Sequence, residues 1–359
     1  MTQWDDSRAA AVSENVTDES SAPSANQLAD PDAFEAEKAT VFGEYWVYAG
    51  HANSIAEPGQ FFTRTVGDRQ LIVVRGHDGE LKAFDNVCAH RGSKMVEDTP
   101  MTDPGGGNRI QCPYHLWTYD LDGELRSTPK SFEDASLNPD LENEDVQEFD
   151  CETNGLNDVH VDSVGPLLFV NLSDEPPALS EQVGALEERL ESLSLEASDH
   201  ERRVVEEVEC NWKTVAGSLL DAVGRRDRLP GAESEETNLE TDDHCWSLSS
   251  TDDDETAQVH YCWPNVTIEV DGDDGYATCI VDPVDAGRCQ LIVDYYVRDG
   301  DGTEAEREFV RTSRQRRAEA IELAERRRDT DGVSTLERTL GPNEHTVDDL
   351  HGLAQESDS

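Results

Sequence analysis

Positive charge is scarce in this sequence. Among 359 residues, 29 are Lys or Arg and 79 are Asp or Glu, which gives a formal net charge of −50. Because such a surface repels phosphate groups, nucleic acid and anionic membranes are excluded as partners. Only five residues are lysines: Lys38, Lys82, Lys94, Lys130 and Lys213. This composition predicts a halophilic source; the alternative is an ordinary, very acidic protein.

Long hydrophobic runs and an N-terminal export signal are also missing. No segment approaches the roughly eighteen apolar residues of a membrane-spanning helix. The N-terminal residues MTQWDDSRAA are polar and acidic, without the apolar centre of a signal peptide. Eight cysteines in a chain of this length do not indicate a disulfide-rich domain. We therefore expect a reducing, cytoplasmic location without membrane association.

The first third of the chain predicts a tail, a helix and an all-β domain. Residues 1–30 are acidic and lack periodicity, which is typical of a disordered tail. A helix is predicted over residues 31–45, with Phe34, Ala39 and Phe42 on its apolar face. Short alternating strands broken by Gly and Asp then predict a β domain over residues 46–135.

The remainder of the chain, residues 136–359, is predicted as a second domain that combines a mostly antiparallel sheet with helices. A strand pair is expected around LNDVHV and LLFVNL, another strand near RRVVEEVEC, and further strands follow after residue 244. Apolar residues at helical spacing predict helices over about 179–193, 211–223 and 304–328. The fold class predicted for the whole chain is therefore α+β.

Two loops with mixed Cys and His residues are the strongest chemical signal. Cys88 and His90 lie in NVCAHRG, and Cys112 and His115 lie in QCPYHLW. Each loop offers one thiolate and one imidazole, which is the ligand set of a Rieske 2Fe-2S cluster. Two Cys and two His also suit zinc, but zinc fingers pair Cys with Cys and His with His. We predict a 2Fe-2S cluster, with the two cysteines on one iron and the two histidines on the other.

Because of these two loops, the sequence resembles the alpha subunits of the Rieske non-haem iron ring-hydroxylating oxygenases. The similarity runs from about residue 30 to the C-terminus and is strongest over FGEYWVYAGHANSIAEPGQFFTR and the two loops. The spacer between His90 and Cys112 is stretched by TPMTDPGGGN, which a surface loop tolerates. The resemblance implies a Rieske β-domain followed by a helix-grip α+β domain. It also implies a ferredoxin or reductase as electron donor and a trimeric ring.

The same resemblance implies a second metal site, a mononuclear Fe(II) held by two His and one carboxylate. The family pattern is matched at Asn211, Trp212, Lys213 and Asp221. The family's three ligand positions are occupied instead by Gly224, Leu229 and Ala320. None of these side chains offers a lone pair to a metal, so we predict that the usual iron site is absent.

Several residues near this region leave alternatives open. Arg225, Arg226 and Arg228 would repel Fe²⁺ if they faced the pocket, or they form a solvated turn. His244 and His260, beside Cys245 and Cys262 on adjacent predicted strands, are either a rebuilt metal site or structural residues. The family's counterpart of Asp221 bridges the cluster of one subunit to the iron of the next, and the alternative is a local hydrogen bond.

Three functions therefore follow from the sequence. The first is a Rieske oxygenase-like oxidoreductase that passes electrons through its cluster toward O₂-dependent oxidation of an organic substrate. The second is a non-catalytic electron-transfer or assembly subunit in a mixed ring with an intact paralogue. The third is a redox sensor whose cavity holds a small apolar ligand. We favour the first, with the chain's own mononuclear iron site lost.

Overall fold

The computed structural model describes residues 28–128, 154–190, 195, 198–224, 237–241, 244–252, 255–271, 275–297 and 304–329. The predicted acidic tail lies almost wholly outside these residues, as do Arg225, Arg226, Arg228 and Leu229. Within the described part of the chain, no helix is long and apolar enough to cross a membrane.

Helix α1 covers Pro31–Glu44 and confirms the predicted N-terminal helix. It begins after Asp30, whose carboxylate accepts hydrogen bonds from the first backbone N–H groups. The prediction for Ala39 is wrong, because this residue is exposed. Glu37 lies on the buried face instead, one helical turn after Phe34.

The first domain contains a seven-stranded sheet and a small three-stranded sheet. The large sheet has the order β1-β10-β9-β4-β3-β2-β5, and the small one has the order β6-β7-β8. The strands are β1 (Val47–His51), β2 (Gln60–Val66), β3 (Arg69–Arg75), β4 (Leu81–Asp85), β5 (Gly105–Gly106), β6 (Ile110–Gln111), β7 (Thr118–Tyr119), β8 (Leu125–Ser127), β9 (Asp158–Val164) and β10 (Leu167–Asn171). All pairings are antiparallel.

The first sheet extends beyond the domain boundary predicted between residues 135 and 136. Strand β9 pairs with β4, and β10 pairs with β1. Because they follow the polar stretch after Pro129, these two strands are predicted from the sequence to belong to the second domain. Alternating apolar residues identify a strand but not its partner, since pairing partners here are separated by more than 70 residues along the chain.

The second domain confirms the predicted antiparallel sheet with helices. Its sheet order is β11-β17-β16-β15-β14-β13-β12. The strands are β11 (Asp199–Val208), β12 (Thr237–Thr241), β13 (Cys245–Asp252), β14 (Glu255–Cys262), β15 (Val266–Asp271), β16 (Gly275–Asp285) and β17 (Arg288–Val297). The helices are α2 (Leu179–Leu190), α3 (Trp212–Gly224) and α4 (Glu304–Asp329). Strand β12 is the one strand of this sheet that the sequence analysis omits.

The two faces of the second sheet are buried against different elements. Successive residues of a strand point to opposite faces. Tyr295 packs in the core that includes Trp212 of α3 and Ala320 of α4. Its neighbour Tyr296 packs in a second core, which contains α2 and residues of β1 such as Tyr48. The first domain contributes residues to both cores, because neighbouring residues of β1 alternate between them.

Candidate functional site

Each cysteine-containing loop is closed by a backbone hydrogen bond of its own cysteine. The first loop follows β4, and the Cys88 N–H donates to the Ser93 carbonyl at 2.8 Å. The second loop connects β6 to β7, and the Cys112 N–H donates to the Trp117 carbonyl at 2.8 Å. Gly92 has a φ of +69°, a backbone conformation that glycine adopts without strain. The loops are therefore tight turns that hold their thiols in place.

Asn86 anchors the first loop through its side chain. The Oδ1 atom accepts hydrogen bonds from the N–H groups of Met95 and Val96, both at 3.0 Å. The Nδ2 atom donates to the Val96 carbonyl at 2.8 Å and to Gln70 Oε1 at 3.1 Å. One buried amide thus ties the start of the loop to its end and to β3.

The four predicted cluster residues come together at one end of the first domain. The Cys88 and Cys112 thiols are buried and interact with one another. The imidazole rings of His90 and His115 lie nearly perpendicular, with centroids 4.8 Å apart. The His90 ring also stacks on Trp117 at 4.6 Å. The thiols therefore lie on the inner side of the site, while His90 is half-buried and His115 is exposed.

Two hydroxyl groups contact the thiols, and the sequence analysis missed both. Tyr119 Oη lies 3.4 Å from Cys88 Sγ, and Ser93 Oγ lies 3.3 Å from Cys112 Sγ. Burial raises the pKa of Tyr119, so the phenol keeps a proton that it can donate to sulfur. Burial also raises the pKa of Cys88. For Cys112 burial acts in the same direction, but hydrogen bonds led by Ser93 outweigh it and lower the pKa.

This donor set fits a two-iron cluster. Two thiols and two imidazoles supply two protein ligands to each iron, and the hydroxyls supply hydrogen bonds to sulfur. Within the described ranges, no group of three or more His, Cys, Asp and Glu side chains is arranged to hold a single metal ion. The cluster assignment rests on the donor set itself, in which each of two loops offers one thiol and one imidazole.

The surface around His115 is apolar, which is unusual for a chain with so much charge. Val87, Tyr114 and Leu116 are exposed large hydrophobic residues next to the four cysteine and histidine residues. Leu116 has a φ of +57°, and it is the one non-glycine residue with a positive φ in the described part of the chain. A leucine in this conformation is strained by about 1–2 kcal/mol.

The residues at the family's iron positions fall on α3 and α4 or outside the described residues. Asp221 and Gly224 lie in the last turn of α3, and Leu229 lies outside the described ranges. Ala320 is 1% exposed on the buried face of α4. The same face carries Arg317, which donates to Ser313 Oγ at 2.7 Å and contacts the Tyr295 hydroxyl.

A second buried arginine of α4 connects the two helices. The Nη1 atom of Arg327 donates to Ser218 Oγ of α3 at 3.0 Å. Ser218 in turn donates to the Thr214 carbonyl within α3 at 2.7 Å. Guanidinium groups donate hydrogen bonds but cannot ligate a metal. At this contact, Arg327 therefore supplies a positively charged donor and not a metal ligand.

His260 is held by two side chains in the sheet. Its Nδ1 atom lies 2.8 Å from Ser247 Oγ, and its Nε2 atom lies 3.0 Å from Gln258 Oε1. The ring of His244 packs against Tyr45 with centroids 5.6 Å apart. Because both ring nitrogens of His260 are engaged by protein groups, the geometry favours a structural role for this residue.

Comparison with known proteins supports the assignment of the first domain. Residues 45–143 match the Rieske [2Fe-2S] domain family. The chain is 35% identical over 188 residues to the glycine betaine monooxygenase oxygenase subunit of Chromohalobacter salexigens, covering 52% of this chain and 38% of that protein. It is 30% identical over 190 residues to the carnitine monooxygenase oxygenase subunit of Acinetobacter baumannii, covering 52% of this chain and 47% of that protein. The chain thus spans less than half the length of these relatives.

Solved structures resemble nearly the whole chain in fold. A quaternary ammonium Rieske monooxygenase has a TM-score of 0.76 at 22% identity, covering 94% of this chain and 95% of that one. Naphthalene 1,2-dioxygenase from Rhodococcus has a TM-score of 0.69 at 16% identity, covering 93% of each chain. These similarities confirm the predicted fold of a Rieske β-domain followed by a helix-grip domain, and the Rieske domain implies the predicted 2Fe-2S cluster.

Proposed function

Because the chain is a homologue of Rieske oxygenase alpha subunits, we propose that it is an oxidoreductase subunit that passes electrons through its cluster. A ferredoxin or reductase supplies the electrons, and they serve the O₂-dependent oxidation of an organic substrate. The chain's own mononuclear iron site is lost. Catalysis therefore depends on a neighbouring subunit that keeps a complete iron site.

The observation that carries this proposal is the convergence of two thiols and two imidazoles from two loops. We assign Cys88 and Cys112 to one iron and His90 and His115 to the other. When bound, the cluster supplies a one-electron carrier. The buried cysteines anchor it from the inner side, and His115 faces the surface. Electrons therefore enter and leave on the histidine side, where the exposed apolar residues surround the site.

The loss of the iron site is supported by the side chains around its expected position. Gly224 has no side chain, and Ala320 has a methyl group that is 1% exposed. Arg317, one helical turn before Ala320 on the same buried face, is also 1% exposed and has hydroxyl groups as its hydrogen-bond partners. A buried guanidinium here disfavours a divalent cation, because like charges repel strongly in a low-dielectric interior.

The partner in this proposal is an intact paralogue in a mixed trimeric ring, with a homotrimer as the alternative. In such a ring, Asp221 of α3 would bridge the cluster of one subunit to the iron of the next. Glycine betaine and carnitine are the first substrates to test, since the relatives named above oxidise them. The acidic surface further suggests a salt-rich cytoplasm.

The test is the iron content of anaerobically reconstituted protein, measured with electron paramagnetic resonance of the reduced cluster. We expect two irons per chain and the spectrum of a Rieske cluster. The variant His90→Ala should lose both this spectrum and the red-shifted visible absorption. His77→Ala is the matched control, because His77 is exposed in the turn between β3 and β4 and should leave both signals unchanged.

Two other results would contradict the proposal. A His90→Ala protein with an unchanged cluster spectrum would refute the ligand assignment. Three irons per chain, with the third bound outside the cluster, would show a rebuilt mononuclear site, and the chain would then be a self-sufficient oxygenase. Oxidation of glycine betaine or carnitine by the purified chain with only an electron donor would lead to the same conclusion.

A further inference from the structure

Two buried cysteines of the second sheet face each other across neighbouring strands. Cys245 of β13 is directly opposite Cys262 of β14 in the antiparallel register. Their Sγ atoms are 2.9 Å apart, and both residues are 0% exposed. Both are thiols in the structure. This pair lies in the second sheet and is therefore distinct from the proposed cluster ligands Cys88 and Cys112 of the first domain.

The backbone at this position suits a covalent bond between the two sulfurs. The Trp263 N–H donates to the His244 carbonyl at 2.9 Å, which makes the adjacent pair hydrogen-bonded. Cys245 and Cys262 therefore form a non-hydrogen-bonded pair, the type in which opposite side chains lie closest, with Cα atoms about 4.5 Å apart. That spacing lies within the range of disulfide bonds, and the sulfurs would need to approach by about 0.9 Å.

The pair lies under the contact that joins the two sheets. Gln182 of α2 accepts a hydrogen bond from the Trp46 N–H at 2.8 Å and donates to the carbonyls of Trp46 and Trp263 at 2.8 and 2.9 Å. Cys245 Sγ approaches the Gln182 carbonyl at 3.8 Å. A bond between the two sulfurs would thus cross-link β13 and β14 where α2 connects them to β1.

We propose that Cys245 and Cys262 are a redox modification site that a small hydroperoxide converts into a reversible cross-strand disulfide. One sulfur attacks the peroxide, whose O–O bond breaks, giving a sulfenic acid and releasing the alcohol or water. The second thiol then displaces water as the S–S bond forms. The two thiols together lose two electrons and two protons, and the peroxide is reduced. Restoring the thiols requires a dithiol or another two-electron reductant.

The burial of this pair makes the site selective for small oxidants. A peroxide close to water in size enters when the sheet opens locally, whereas bulky reagents are excluded. The partner sulfur is already in contact, so the sulfenic acid is captured before further oxidation. Cys289 on β17 is equally buried but is not paired in this way, and it provides a matched control.

The experiment treats the intact cluster-containing protein with stepwise additions of hydrogen peroxide under argon, while visible absorption follows the cluster. Remaining thiols are alkylated in denaturant, and disulfide-linked peptides are mapped by mass spectrometry. We expect a linked peptide pair containing Cys245 and Cys262 before the cluster bleaches, and its disappearance after dithiothreitol. The melting temperature should rise on oxidation and return on reduction, because the cross-link restricts the unfolded chain.

Cysteine variants distinguish oxidation at this pair from general oxidation of the protein. Cys245→Ser and Cys262→Ser should each abolish the linked peptide and the change in melting temperature, whereas Cys289→Ser should preserve both. The proposal is overturned if the wild-type pair remains alkylatable after the cluster has bleached, or if another cysteine pair is linked first. Both results are measured at cysteines of the second sheet, so they do not depend on whether the chain transfers electrons to a neighbouring subunit.

Discussion

Removing the carboxylate of Glu37 should strongly weaken the junction between α1 and α3. Glu37 is 6% exposed and Lys213 is 4% exposed. One carboxylate oxygen contacts the Lys213 ammonium, and the other accepts a hydrogen bond from Trp212 Nε1 at 2.8 Å. The substitution Glu37→Ala therefore leaves a buried ammonium and a buried indole N–H without their acceptor.

The expected decrease in the free energy of unfolding follows from the loss of the ion pair and of the indole hydrogen bond. Breaking one partner of a buried ion pair costs about 3–5 kcal/mol in the free energy of unfolding. An unsatisfied buried donor costs about 1–3 kcal/mol, and the two terms overlap because they share one carboxylate. We expect about 4 kcal/mol for Glu37→Ala, which is a large part of a typical domain stability of about 5–15 kcal/mol. The double variant Glu37→Leu with Lys213→Met removes both charges but still leaves the Trp212 indole N–H without an acceptor, so it should lose only about 1–3 kcal/mol.

Urea unfolding followed by tryptophan fluorescence measures these differences, because Trp212 is part of the junction. Glu35→Gln is the matched control on the same helix, since the Glu35–Lys38 pair is at the surface and contributes less than about 1 kcal/mol. The reasoning is refuted if Glu37→Ala unfolds within about 1 kcal/mol of the control, or if the double variant is as unstable as the single one.

Three further predictions concern the cluster, pH and salt. Ser93→Ala and Tyr119→Phe should each lower the reduction potential of the cluster, because a cysteine ligand loses a hydrogen-bond donor to its sulfur. A spectroelectrochemical titration with the same midpoint potential as the wild type would contradict this prediction. Burial lowers the pKa of His51 from 6.5 to about 3, so protonation favours the unfolded chain. The free energy of unfolding should therefore fall below pH 6.5 by about 1.4 kcal/mol per pH unit. His51→Gln should flatten this slope in urea titrations at pH 5 to 7, and an equally steep slope in the variant would contradict the assignment to His51. Molar KCl should raise the melting temperature, because it screens the repulsion between acidic side chains. A melting temperature that does not change with salt would refute the prediction of a halophilic source.

The four candidate cluster residues could be selected from the sequence, but the hydroxyls that contact their sulfurs could not. Cys88, His90, Cys112 and His115 form a local pattern, because each loop carries its own thiolate and imidazole. Ser93 contacts the sulfur of the opposite loop, at a sequence separation of 19 residues. Serine is common in loops, so its residue type gives no signal, and only the packing of one loop on the other reveals the contact.

The limits of the fold prediction have a similar cause. Strand positions in the second sheet followed from alternating apolar residues, and all but β12 were expected. The pairing of β9 and β10 with the first sheet depends on contacts between segments far apart in sequence, which periodicity does not encode. Glu37 was overlooked because a charged residue on a helix is normally placed on the solvent face. Its burial depends on Lys213, which lies 176 residues further along the chain.

This ion pair also changes how the resemblance at Asn211, Trp212 and Lys213 is interpreted. Asn211 begins α3: its side chain accepts a hydrogen bond from the Lys213 N–H at 2.9 Å and donates to the Ala286 carbonyl at 2.8 Å. The two residues that follow it bind Glu37. These three matched positions thus have a structural role that requires no metal, whereas the three positions that the resemblance predicts as iron ligands are the ones that differ. A match at the start of α3 therefore indicates the fold of this domain, and it cannot be used as support for iron chemistry.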